Sequence, residues 1–392
     1  MKKYLVSGVP ISDSGVGRLM KNMVPEAKAR GYVIITPPLL KPIKKMFRER
    51  HYPGAFREII DRSFGKLFFN LKLLLIRKSL VLFLHPQTFG FSKLFLLAKS
   101  NKLYLYVMDN SFFCIRSYNI HPDNGAECLR CLGNPEKVLQ GCQPYPVLYA
   151  KSKNISALKT LMKLSSKITF LAQNKNQKVL LEKHFDENID CVVAGLDTGE
   201  ILTENTNSVV NLSHSDSNSD LNIGCYDIVY HGAAHLAKGI AYVIDLAKNL
   251  KELSFFIPES KEACELAIGR TIECENITFR ACRWESGLRE AVIQARLVIN
   301  PSLWSAPIEG ALLKSVFYAS RVATVTTMHG FEGELAESIN LIRLPRETSY
   351  AADILRDILK DKNPTEKPQC SPPNLSKFLG DQSIFDIVET RI

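Results

Sequence analysis

Four of the ten cysteines, Cys114, Cys128, Cys131 and Cys142, have the residue type and spacing of a metal site. Cys128-Leu129-Arg130-Cys131 is a CxxC pair, which places two thiolates on one tight turn. The flanking Cys114 and Cys142 complete a tetrahedral set for zinc. The stretch 112–146 around them is rich in Asn, Gly and Pro and has little hydrophobic periodicity. A loop of this length without a core of its own gains from a metal clip, so a structural zinc is expected. His121 could replace one thiolate. Three other readings stay open. Disulfides fit poorly with a cytosolic chain, an iron–sulfur cluster also takes four thiolates, and the thiols could be unliganded. Redox work by the CxxC pair would not need the outer two cysteines. The remaining six, Cys191, Cys225 and Cys264 among them, read as small core or surface residues.

Other candidates lie at the ends of short apolar runs. Gly15 and Gly17 follow the first run, and their missing Cβ would let backbone approach a ligand closely. His85 and Asp109 follow two further runs, at positions where α/β sheets bind ligands. An acceptor-side role and a buried or capping role fit these two equally. The formal net charge is +10. Lys41, Lys44, Lys45, Arg48 and Arg50, with Lys66, Lys72, Arg77 and Lys78 after them, concentrate part of that excess early in the chain. Such a cluster suits an anionic membrane surface or a phosphorylated substrate, and a solvated face is the bland reading. No nucleic-acid-binding signature accompanies it, so no nucleic acid partner is expected.

These residues need a scaffold, and the apolar runs supply one. Lys3 to Val9 reads as a buried strand, followed by the loop holding Gly15 and Gly17, a helix from about Arg18 to Arg30 and a strand over 32–36. Strand, glycine-containing loop, helix, strand is the opening of a parallel α/β sheet. Runs at 80–84, 103–108, 168–172 and 190–193 extend it. Residues 205–222 are rich in Asn, Ser and Asp and read as a linker. The pattern then restarts with runs at 226–230, 253–257, 277–280, 297–300 and 322–326, and with helices over 240–250 and 309–319. The expected domains are therefore 1–204, carrying the cysteine-rich insertion 112–146, and 223–374. A final amphipathic segment, 375–392, is expected to pack back on the first domain.

At 392 residues, with 46% hydrophobic and 23% charged residues, two globular domains are the natural partition. The run from Tyr4 to Val9 is too short for a signal sequence. Lys72, Arg77 and Lys78 interrupt the most hydrophobic stretch, 68–84, which reads as a helix running into a buried strand rather than a membrane span. A cytoplasmic protein is expected, with the inner face of the membrane as a place where the basic and apolar stretch could act.

Taken in order, several segments resemble the retaining GT-B glycosyltransferases, of the family 4-like, bacterial surface-polysaccharide type. Ser7-Gly8-Val9 leading to Gly15-Val16-Gly17-Arg18 is similar to the family's first strand and Gly-rich loop. Val193-Ala194-Gly195-Leu196-Asp197 resembles its "NGVD" turn. Residues 230–239, ending in Lys238-Gly239, resemble its "GR…KG" loop. Asn300-Pro301-Ser302 through Glu309-Gly310 resembles its "PS…E…E" donor segment. The resemblance spans nearly the whole chain.

What it implies is an α/β protein of GT-B architecture, two Rossmann-like domains facing across a cleft. The implied activity is hexosyltransferase-like: a sugar moves from a nucleotide-sugar donor to a saccharide or lipid-linked saccharide, with retention, in cell-surface polysaccharide biosynthesis. Lys238 and Glu309 would be catalytic. Gly15, Gly17, Gly232, Lys238, Ser302, Glu309 and Gly310 would bind the donor, and no catalytic metal is implied. Departure of a diphosphate builds negative charge, which an ammonium group and helix N-termini stabilise. Three departures stand out. Ala233 replaces the family's phosphate-binding arginine, Lys314 its ribose-binding glutamate and Ala306 the earlier glutamate. They leave a noncatalytic GT-B-like nucleotide- or partner-binding protein as the alternative. Epimerisation of a nucleotide sugar is a third reading.

Overall fold

A computed structural model of the protein describes residues 1–12, 15–39, 43–48, 52–145, 150–196, 225–335, 338, 340–360 and 383–391. The chain forms two compact units: residues 1–117, 130–198 and 377–392 make the first, and residues 118–129 and 199–376 the second. The expected linker, 205–222, lies outside the described residues.

The first unit holds a six-stranded sheet in the order β2-β1-β3-β4-β5-β6. Its strands are β1 (Lys3–Ser7), β2 (Tyr32–Ile35), β3 (Leu80–Leu84), β4 (Lys102–Tyr106), β5 (Ile168–Ala172) and β6 (Cys191–Val193). Every neighbouring pair is parallel. Strands β3 and β5 are buried at each residue, which is why they read as unbroken apolar runs. Between strands run α1 (Gly15–Ala29), α2 (Ile43–Arg48), α3 (Tyr52–Leu74), α4 (Ser92–Ala98), α5 (Lys151–Leu164) and α6 (Lys175–His184). The stretch 68–84 is the end of α3 followed by β3, and α3 begins well before it. No helix among the described residues is long and apolar enough to cross a membrane.

The second unit repeats the plan. Its strands are β7 (Ile228–Tyr230), β8 (Phe255–Ile257), β9 (Ile277–Phe279), β10 (Leu297–Ile299), β11 (Val322–Val325) and β12 (Leu341–Leu344), in the order β12-β11-β10-β7-β8-β9. All of its pairs are parallel too. Its helices are α7 (Ile240–Asn249), α8 (Lys261–Ile268), α9 (Leu288–Gln294), α10 (Gly310–Tyr318) and α11 (Thr348–Ile358). The short β12, broken by Arg343, was not anticipated from sequence. Each sheet reverses its winding at one place: between β1 and β3 in the first unit, and between β7 and β10 in the second. In open parallel sheets, the carboxyl ends of the strands at such a reversal form the ligand crevice.

At the end of the chain, α12 (Ile384–Glu389) belongs to the first unit. Phe385 and Val388 are fully buried in its core with Leu5 and Met20. The Phe385 ring meets Tyr32 edge-on at 5.0 Å. Arg30 pairs with Asp386 at 2.6 Å and Lys3 with Glu389 at 2.9 Å. The rest of the expected terminal segment, 375–382, lies outside the described residues.

Candidate active site

In the second unit, β7 ends at Tyr230, and the loop 231–239 that follows is held from beneath. The buried Tyr230 hydroxyl donates to the Ala233 carbonyl at 2.7 Å and the Lys238 carbonyl at 3.1 Å. Burial holds that hydroxyl's pKa well above its ordinary value, so it stays a donor. His235 accepts from the Ala237 N–H at 3.1 Å and starts a short helical turn, Leu236–Lys238. Gly239 ends that turn at φ +79°, with the Pro301 carbonyl pressed where a Cβ would stand. Gly232 has no room for a Cβ either, because the Tyr230 ring and hydroxyl fill the space.

This loop delivers the Lys238 ammonium to the Glu309 carboxylate, onto which it donates a charged hydrogen bond. Ser302 Oγ donates to the same carboxylate oxygen at 3.1 Å. Glu309 occupies the N-cap position of α10, yet its side chain caps no backbone N–H; it turns to Lys238 and Ser302 instead. Only 6% of Glu309 is exposed, and the Lys238 ammonium lies 5.2 Å from the Trp304 ring and 5.9 Å from that of Tyr118. Trp304 is buried, and its indole N–H has no hydrogen-bond partner among the described residues. A buried orphan donor of this kind costs about 1–3 kcal/mol until something accepts from it. The sequence-nominated Lys238, Ser302 and Glu309 thus meet directly. Gly232 lies in the same loop system, and Gly310 opens α10 with nothing within 4 Å of its Cβ direction.

One part of this site was not legible in the sequence. Residues 118–129 of the cysteine-rich insertion fold with the second unit as a small hairpin, closed by the antiparallel bridge between Ile120 and Glu127. Ile120 is buried in the second core. Tyr118 packs edge-on against Trp304 at 4.7 Å and meets His235 at 4.8 Å. Asn119 Nδ2 donates to Ser305 Oγ at 2.8 Å, and its Oδ1 accepts from the Ser305 N–H at 3.2 Å. The Glu127 carboxylate accepts from the Ser305 hydroxyl and from the N–H groups of Met328 at 2.5 Å and His329 at 3.1 Å. The hairpin therefore braces both the Lys238 loop and the 302–305 segment.

A second cluster flanks β7. His231 stacks on Trp284 at 5.4 Å, and the Lys314 ammonium sits 4.8 Å from the same indole. His231 Nδ1 lies 2.9 Å from Ser315 Oγ, whose own proton goes to the Ala311 carbonyl. The imidazole must then carry its hydrogen on Nδ1. Burial, reinforced by the Lys314 charge, pushes the His231 pKa down to about 3. An unfolded histidine titrates near 6.5, so only the unfolded chain takes up this proton between the two values. The associated stability is complete above about pH 6.5 and is lost toward pH 3, at up to about 1.4 kcal/mol per pH unit. His231→Gln is expected to flatten that slope in denaturant titrations between pH 7 and 5; an unchanged slope would assign it to other groups.

In the first unit, His85 and Asp109 do meet. His85 Nε2 is 3.8 Å from Asp109 Oδ2, which also accepts from Gln87 Nε2 at 2.8 Å. Asp109 caps a helical turn as well, accepting from the Ser111 N–H at 2.9 Å. His85 has φ +55°, and its carbonyl presses on Gly8, where a Cβ would come within 1.9 Å. Its Nδ1 is buried without a partner among the described residues, and burial lowers its pKa despite Asp109. Gly15 and Gly17 sit differently from the expectation: both lie inside the first turn of α1, not in a loop before it. The space beside Gly17 is filled by Ser12 and the Pro10 carbonyl, so a Cβ there would collide with the protein's own chain. Gly15 has φ +52° and open space around it.

Cys114, Cys128, Cys131 and Cys142, the expected zinc ligands, all lie among the described residues. Among the described residues no group of three or more His, Cys, Asp or Glu is placed to hold a metal ion. Hydrogen bonds order parts of the insertion. Asn119 Nδ2 donates to the Cys128 carbonyl at 3.2 Å, Asn134 caps the turn after it, and Lys151 donates to the Leu139 carbonyl at 2.6 Å. His121, the alternative ligand, accepts from the Asp123 N–H at 3.3 Å.

No protein-family model matches the chain, and no curated protein matches it at significance. Solved structures match it over nearly its whole length. Sucrose-phosphate synthase from Thermosynechococcus elongatus superposes with a TM-score of 0.55 at 11% identity, covering 97% of this chain and 92% of that one. Anabaena HepE in complex with UDP-glucose gives 0.54 at 13%, covering 100% and 95%. The UDP-forming α,α-trehalose-phosphate synthase from Burkholderia vietnamiensis gives 0.51 at 11%, covering 92% of each chain. Identities this low speak for the architecture alone. With its two six-stranded parallel sheets and their helices, the chain has the GT-B glycosyltransferase fold.

Proposed function

We propose that the protein is a glycosyltransferase that moves a sugar from a nucleoside-diphosphate sugar to a saccharide or lipid-linked saccharide, with retention, in cell-surface polysaccharide synthesis. The observation that carries the reading is the Lys238–Glu309 pair at the sheet reversal of the second unit, beside the orphan N–H of Trp304. The fold adds support, since similar structures include a UDP-forming synthase and a UDP-glucose complex. On this reading the donor diphosphate draws Lys238 away from Glu309, and the ammonium then neutralises charge building on the departing phosphate. The N-terminal N–H groups of α10 add partial positive charge there. Glu309, released, accepts from donor hydroxyls. Neutral His85 with Asp109 would stand on the acceptor side. The noncatalytic alternative has no observation in its favour beyond Ala233 and Lys314.

Calorimetry with UDP, GDP, ADP and CDP tests the donor site first. One of them is expected to bind with a Kd in the micromolar range, roughly 10⁻⁶–10⁻⁴ M, and the matching nucleotide sugars should then be turned over with saccharide or lipid-linked acceptors. Absence of binding by all four would remove the donor site as drawn.

A further inference from the structure

Helix α3 of the first unit turns an apolar face outward along its length. Phe56, Ile60, Phe64, Leu67, Leu71 and Leu74 follow one another at intervals of three or four residues, so they form one stripe. Each is between 44% and 62% exposed. The opposite side is anchored: Leu73 is fully buried, and Phe69 stacks on Phe89 at 5.0 Å. The stripe therefore cannot be turned inward by rolling the helix. Scattered apolar residues on a surface need no explanation, whereas a continuous stripe of this size does.

Charge decides what fits it. The helix carries four cations, Arg57, Arg62, Lys66 and Lys72, against two carboxylates, Glu58 and Asp61. Glu58 is largely covered and lies 3.6 Å from Arg62, and Asp61 sits 3.9 Å from Arg57. Lys66 and Lys72 flank the stripe and are both exposed. Just before the helix the sequence adds Lys41, Lys44, Lys45, Arg48 and Arg50. A second copy of this chain packed on the stripe would bring like charges together. An anionic bilayer would match both the apolar face and its basic margins. Beside the helix, a cavity of about 480 Å³ is lined by Ile11, Ile35, Pro38, Phe68 and Lys72 among others. Phe68 and Lys72 thus offer an apolar recess with an ammonium group next to the outward face.

We propose that α3 lies in the headgroup region of an anionic lipid bilayer, with its apolar stripe among the upper acyl chains and Lys66 and Lys72 on lipid phosphates. The inference stands apart from the transfer reading, because membrane binding is measured with no donor or turnover. The full chain is sedimented with phosphatidylcholine vesicles containing about one third phosphatidylglycerol, and with pure phosphatidylcholine vesicles. The ratio of bound to free protein should be at least tenfold higher with the anionic vesicles, and should fall when salt is raised from about 0.05 M to about 0.5 M. Phe64→Glu with Leu71→Glu should lower binding at least tenfold at an unchanged melting temperature, as both side chains are exposed. Lys66→Glu with Lys72→Glu should do the same without touching an apolar residue. Wild-type protein left in the supernatant, or both variants binding like wild type, overturns the proposal. A wild-type dimer that Phe64→Glu with Leu71→Glu splits, without vesicle binding, would assign the stripe to a second copy instead.

Discussion

Lys238→Met should lower turnover at saturating nucleotide sugar by about 10²–10³-fold, the usual cost of removing one group that stabilises a developing oxyanion. Methionine keeps a flexible stem near Trp304 and Tyr118 and removes the charge alone. The effect belongs mainly in kcat, because the ammonium gains most as the leaving phosphate becomes more negative. The same change strands the Glu309 carboxylate, which is 6% exposed and keeps the Ser302 hydroxyl as its remaining side-chain donor. Breaking one side of a buried pair is strongly destabilising, so lost folding could pass for lost chemistry. Pairing Lys238→Met with Glu309→Gln removes both charges and separates the two. The double variant is expected to melt close to wild type and still turn over slowly. Wild-type turnover in it would exclude the ammonium from the mechanism.

Gly239→Ala is the second large effect expected, this time on the fold. An alanine at φ +79° is strained, and its Cβ would come within 2.1 Å of the Pro301 carbonyl oxygen and 2.7 Å of the Pro301 ring. Neither neighbour is the loose end of a flexible side chain, so the loop or the 300–302 segment must shift. A loss of about 3 kcal/mol in the second unit is expected, with Lys238 displaced and turnover reduced as well. Gly310→Ala is the internal control. It has open space, an ordinary φ and the first position of α10, so alanine there is expected to leave stability close to wild type. Thermal unfolding of both variants checks the pair. Equal melting temperatures would mean that the Gly239 turn is softer than its geometry implies.

Residues whose role follows from a local run were readable in the sequence. β3 and β5 are buried on both faces, so Leu80–Leu84 and Ile168–Ala172 announce themselves as continuous apolar segments. Lys238, Ser302 and Glu309 were nominated differently, by the resemblance of the 230–239 and 300–310 segments to the donor-site motifs of the GT-B family. Long-range pairing hid the rest. Asn119 and Glu127 act through Ser305, Met328 and His329, and no local pattern ties an Asn-rich loop to partners so far along the chain. The packing of Ser12 on Gly17 was hidden as well, because a glycine that admits a serine and one that admits a phosphate look identical in sequence.

The hairpin at 118–129 also bears on how this protein can be made and cut. Neither globular half is encoded by an unbroken stretch, since the backbone passes from one to the other after residues 117, 129, 198 and 376. During synthesis Asn119 emerges from the ribosome long before Ser305 exists, and Ile120 waits for the strands that will bury it. Severing the polypeptide within 205–222 would leave the rear portion without Tyr118 and Ile120, and the front portion carrying a ribbon whose docking partners are missing. Maturation of the rear half is thereby tied to the integrity of the front half.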